Sequence, residues 1–189
     1  MSIHISPSST LKDYQLELRK GNIPNHSAIN VQGHGIAVGT SFQPLWSSTD
    51  TYDGVALYDT PLATVEIASS SGADTNSSGT GAWTVLLTGV NGSDVVQTDT
   101  YTMAGQTVAT GAGKTWKAIT GVTVLTTGTA NKNVGTIWVG NTGTFSSGVP
   151  TTKYASIAPD DTLGKWAVGY VSTGKKHWLD QVTMMVGAS

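Results

Sequence analysis

From residue 60 onward, short runs rich in apolar residues alternate with clusters of Gly, Ser, Asn and Asp. Within one run, Trp83, Val85 and Leu87 fall on one parity, and Ala82, Thr84, Leu86 and Thr88 on the other. Successive side chains of a strand point to opposite faces, so runs of period two predict strands. Strands are predicted over 63–69, 82–89, 95–103, 115–126, 134–140, 153–158, 165–172 and 176–186. Between them lie the turn formers "SSSGADTNSSGTG", "NGSD", "TGTANKN", "NTGTFSSGVP", "PDDTLG" and "STGK". Short strands punctuated in this way point to an all-β sandwich or barrel. No helical pattern alternates with them, which argues against a parallel βαβ sheet.

The first third reads differently. Tyr14, Leu16 and Leu18 alternate with Gln15, Glu17 and Arg19, which predicts a strand, and residues 21–24 turn the chain. Over 25–59 apolar residues are sparse and irregular, with Ile29 and Val31 among them. The expected organisation is an N-terminal arm with short strands over 1–59 and a sandwich over 60–189. In the last two strands, Trp166, Val168 and Tyr170 share one face, as do Trp178, Val182, Met184 and Val186 together with Asp180. Several strands are apolar on one face and only mildly polar on the other. Two readings stand: a Thr-rich solvated sheet, or outer faces packed against sister subunits.

Composition sharpens this picture. Charged residues make up 12% of the 189 residues, against about 25% in ordinary soluble domains. Gly (23 residues), Thr and Ser take their place, suiting turns and strands respectively. The net charge of −2 and a pI near 6.0 supply no basic face for nucleic acid or an anionic membrane. The absence of Cys removes thiol catalysis, Cys-ligated zinc and iron–sulfur clusters. No apolar run approaches the ~18 residues of a membrane span. The opening "MSIHISPSSTLKDY" lacks the apolar centre of a signal peptide, so synthesis in a cytoplasm is expected.

Candidate chemistry is thin. "GAGKT" resembles the end of a phosphate-binding loop, but the glycine due at position 108 is Val108, and the β-branched "TWKAITGVTVLTT" follows where a helix is needed. It is expected to be a turn with an exposed Lys114, leading into a strand from Thr115. "GHGIAVG" misses dinucleotide spacing. "DTNSSG" over 74–79 places Asp74, Asn76 and Ser78 as in a calcium loop, but position 12 is Val85 rather than Glu. A loop of small polar residues is the main expectation there, and a weak cation site the alternative. His4, His26, His34 and His177 stand apart from clustered carboxylates. Asp94, Asp99, Asp160 and Asp161 belong to turns or their flanks, so no pair of acids is placed for acid–base work. Neither a metal nor any other cofactor is expected. The six tryptophans are spread over arm and strands, as core or interface anchors or, alternatively, a sugar-stacking platform.

The order of "GTGAWTV", "TDTYTMAGQTVAT" and "NKNVGTIWVG", with "LRKGNIPNHSAINVQGHG" before and "KYASIAPDDTLGKWAVGYVSTGK" after, resembles a family of tailed-bacteriophage virion proteins. These are jelly-roll proteins met as capsid decoration (cement) or fibre-like proteins, and the resemblance runs from about Lys20 to the C-terminus. It implies an antiparallel jelly-roll sandwich of about eight strands behind an extended arm, with no catalytic or cofactor residues. It also implies a non-enzymatic protein of the capsid exterior, made in the host cytoplasm. Its expected partners are the major capsid protein and two sister copies in a homotrimer. The alternative is a fibre or spike module that binds a host receptor or glycan. Capsid docking is expected through Tyr14, Leu16, Leu18, Ile23, Ile29 and Val31 of the arm. Subunit contacts are expected through Trp166, Tyr170, Trp178 and Met184.

Overall fold

The computed structural model of the chain describes residues 63–164 together with residues 170, 171 and 174. The arm expected over 1–59, the strand expected over 176–186 and most of that over 165–172 lie outside the described residues. Within them the chain is all-β, with nine strands and no helix. The strands are β1 (Ala63–Ser69), β2 (Ala82–Val90), β3 (Val96–Thr102), β4 (Ala109–Trp116), β5 (Ala118–Thr127), β6 (Ile137–Asn141), β7 (Phe145–Ser146), β8 (Val149–Pro150) and β9 (Lys153–Ile157).

They form a sandwich of antiparallel sheets, one in the order β4-β1-β6-β9 and one in the order β3-β2-β5, with β7 and β8 as a small hairpin. At the two open sides β3 lies along β4, and β5 along β9. The neighbours β2, β3 and β4 are thus flanked by β5 on one side and β1 on the other. That is Greek-key winding, the connectivity from which jelly rolls are built.

The inner faces supply the core. Val65 and Ile67 of β1, Val85 and Leu87 of β2, Ile137 and Val139 of β6 and Ile157 of β9 are buried at alternate positions, as period two demands. Trp116 closes the core at the corner between β4 and β5. Each such side chain removed from water contributes about 1.5–3 kcal/mol before ordering costs.

Four features depart from the sequence reading. First, the strand expected over 115–126 is two strands, broken at Lys117, where the chain passes from one sheet to the other. Trp116 and Ala118 both stay buried through the corner, so the apolar pattern does not register it. Second, "GAGKT" is not a turn before a strand but part of β4, and Lys114 is half-buried rather than exposed.

Third, a bulge in the β2–β5 pairing between Ala82 and Thr84 shifts the parity of β2. Ala82 therefore enters the core, while Trp83 is half-buried and donates its indole N–H to the Gly79 carbonyl at 2.8 Å. A one-residue bulge exchanges faces in this way. Fourth, β6 begins at Ile137 rather than 134, because the N–H groups of Val134 and Gly135 are taken by the Asp74 carboxylate. The β7–β8 hairpin turns through Ser147 (φ 48°) and Gly148 (φ 76°), the primed geometry that follows strand twist.

Candidate functional site

Of the predicted site residues, Tyr14, Leu16, Leu18, Ile23, Ile29 and Val31 of the arm lie outside the described residues. So do Trp166, Trp178 and Met184. Tyr170 lies within them, half-buried. Its hydroxyl donates to Oδ1 of Asp94, and Lys117 Nζ donates to the same oxygen at 2.7 Å. The Lys117 ammonium also stands 5.6 Å from the centre of the Tyr170 ring. Hydrogen bonds to Asp94 and Tyr170 raise the Lys117 pKa above its ordinary value. Asp94 takes φ 61° at the end of the β2–β3 turn, a conformation that Asp tolerates. Asn91 holds that turn by accepting from the N–H groups of Ser93 at 2.9 Å and Val95 at 3.0 Å.

Asp74 is not placed to ligate a cation. It is fully buried, and its two carboxylate oxygens accept four hydrogen bonds. The donors are Ser69 Oγ at 2.5 Å, Ala82 N at 2.8 Å, Val134 N at 2.9 Å and Gly135 N at 2.8 Å. One side chain thereby joins the end of β1, the start of β2 and the approach to β6. A buried charge persists where its lone pairs are satisfied in this way. Among the described residues, no group of three or more acids or histidines is placed to hold a metal.

Side chains also close the open side between β3 and β4. Gln97 Nε2 donates to the Thr115 carbonyl at 2.7 Å, and the Ala112 N–H donates to Asp99 Oδ2 at 2.9 Å. The Lys114 ammonium donates to the Thr98 carbonyl. "GAGKT" thus caps a sheet edge, and its lysine is engaged with backbone. Behind this seam, burial and the nearby Asp99 charge push the Tyr101 hydroxyl up to about 12.

A further feature is the outer face of the β3-β2-β5 sheet. The register sets Thr102, Thr84 and Thr126 in one row, Thr100, Leu86 and Thr123 in the next, and Thr98, Thr88 and Gly121 in a third. Thr98, Thr100, Thr102 and Thr126 are exposed, and Thr84, Leu86, Thr88 and Thr123 half-buried. The hydroxyls of Thr84 and Thr126 bond each other at 2.6 Å.

Beyond β5 the chain returns along the sheet. Val124 N donates to the Thr162 carbonyl at 2.8 Å and Gly164 N to the Val122 carbonyl at 3.0 Å. This sets Leu163 opposite Thr123, extending the middle row, and Leu163 is 54% exposed. A bulge beside Thr126 leaves Leu125, at 50%, unpaired next to the rows. No charged side chain stands in these rows.

The other outer face differs. Glu66 of β1 accepts from the Gly143 N–H at 3.0 Å, and Lys153 of β9 stands over the Trp138 ring at 4.6 Å. There the outward row of Ala68, Trp138 and Ser156 is buried. Of the six tryptophans in the chain, Trp116 and Trp138 are buried and Trp83 is half-buried and tethered, so these three serve the framework.

Sequence reasoning missed Asp74, because an acid in a Ser/Gly loop looks solvated until its partners converge from 61 residues away. It missed the Asp99 and Lys114 seam for the same reason. The alternation of Thr84, Leu86 and Thr88 was the one readable sign of the outer face. Comparison with protein-family models, with curated proteins and with solved structures finds no match for this chain.

Proposed function

We propose that the chain is a non-enzymatic structural protein of a bacteriophage virion, a trimeric decoration protein that binds the outside of the capsid lattice and stabilises it. The observation that carries this reading is the uncharged threonine and leucine face of the β3-β2-β5 sheet on a braced sandwich. A solvated monomer surface mixes charges of both signs at about a quarter to a third of its positions. A face without them suits contact with protein. The bracing by Asp74 and by the β3–β4 side-chain seam suits a body that works by holding its shape. The resemblance of residues 20–189 to virion proteins supports the same reading.

The mechanism is adhesive. Area added across seams of the lattice raises the free energy of separating capsid subunits, by ~25 cal/mol per Å2 of apolar surface less the cost of ordering. The test is co-sedimentation with capsids of the virus that encodes the chain, stripped of it, followed by thermal melting of the loaded shells. Saturable binding that raises the melting temperature of the shell is expected. Capsids that neither bind the protein nor melt higher in its presence overturn the proposal.

A further inference from the structure

We infer that the outer face of the β3-β2-β5 sheet, centred on Thr100, Leu86 and Thr123, is the surface on which sister copies of this chain meet around a three-fold axis. The inference rests on the trimer proposed above and names its contact. Rotational symmetry brings identical residues together, so a charge beside the axis faces its own copies and is repelled by them. The rows on this face carry none. Threonine suits such a position, because its hydroxyl both donates and accepts and can pair with its own copy. Thr84 and Thr126 already bond each other in this manner across β2 and β5.

The methyl groups of threonine and the side chains of Leu86, Leu125 and Leu163 supply the apolar area. Leu125 and Leu163 are half-exposed in the single chain. The opposite outer face is a poorer candidate, because it carries Glu66 and Lys153 and its outward row is already covered.

The size of the face sets its share of the contact. With the 162–164 segment it is four strands wide, about 20 Å by about 20 Å at usual strand spacing and rise. That is about half of the ~800 Å2 per partner of a stable pairwise interface. The face is therefore the axial portion of the contact, with further area contributed around it.

Two variants test the assignment. Thr100→Lys with Thr123→Lys places like charges where copies converge, at strand positions that accept lysine. Light scattering at micromolar concentration should give three times 19.5 kDa for the wild-type chain and 19.5 kDa for the variant, with an unchanged circular dichroism spectrum. The natural chain has no cysteine, so Thr100→Cys carries a single thiol. A short bis-maleimide should link Thr100→Cys chains into covalent dimers, and should leave Thr142→Cys, in the turn after β6 of the other sheet, unlinked. This second readout decides the matter if the lysine variant fails to fold. A trimeric lysine variant, or a trimeric Thr100→Cys protein that does not cross-link, overturns the face assignment and leaves the trimer standing. A monomeric wild-type chain overturns both.

Discussion

Asp74 concentrates the structural demand on one residue. Three backbone N–H groups and the Ser69 hydroxyl point at its fully buried carboxylate from three segments of chain. Asp74→Ala should lower unfolding free energy by about 3 kcal/mol or more, since each stranded donor keeps its desolvation cost. Asp74→Asn should also destabilise, because an amide turns a donor toward donors. Lys132→Ala, which removes the exposed pair with Asp160 at 2.6 Å, should cost less than about 1 kcal/mol. Urea denaturation midpoints measure all three, and an Asp74→Ala midpoint equal to that of Lys132→Ala would falsify the bracing role. Tyr101 supplies a pH-dependent counterpart. Its folded pKa of about 12 lies above the ordinary value of 10.0, so the folded state holds the phenol proton more tightly. Its contribution is complete below pH 10 and is lost as pH rises from there through about 12. Tyr101→Phe should remove that part of the alkaline loss of stability; an alkaline profile identical to wild type would show that Tyr101 is not its source.

At the scale of elements, most strands were legible because burial on one face imposes period two. Ala63–Ser69 is the expected strand to the residue, β2 and β9 differ from expectation by one residue at one end, and β3 by one residue at each end. What failed was the reading of β4 and β5 as one strand, and of "GAGKT" as a turn. Local composition carries the glycine-rich look of β4, but its partners lie in β1 and, through side chains, in β3. The absence of a side chain at Gly111 is part of that seam. A Cβ there would stand 2.4 Å from Asp99 Oδ2 and 2.5 Å from Tyr101 Cζ. Gly111→Ala should therefore cost about 1–3 kcal/mol, against about 1 kcal/mol for loss of the Lys114 bond in Lys114→Ala. If Gly111→Ala melts at the wild-type temperature, β3 and β4 are not held as closely as this seam requires.

For the whole molecule, the sandwich body and the proposed docking arm make separable predictions. Among the described residues, the core and its bracing run from Val65 to Ile157. An extended segment that buries apolar groups only on a partner meets its ordering cost on binding. Deleting residues 1–30 is therefore expected to leave a folded, oligomeric protein that no longer sediments with capsids. Unfolding of the truncated chain would show that the arm belongs to the core. Undiminished capsid binding would transfer docking to the sandwich.

The sequence alone determined the class of architecture. Alternating β-branched and apolar residues, separated by Gly, Asn and Asp, are local properties, and they select strands and turns before any strand has found a partner. The outward parity of Thr84, Leu86 and Thr88 was settled at the same level. Tertiary structure decided which strands neighbour which, the sheet change at Lys117, the exchange of Ala82 for Trp83 in the core and the part played by each polar side chain. Those outcomes depend on groups brought together from distant positions. Asp74 reaches Gly135 across 61 residues, and Tyr170 reaches Asp94 across 76. A hydrogen bond is short-ranged in space but leaves no periodic trace in the chain, so only the folded arrangement distinguishes a buried acid from one in a solvated turn.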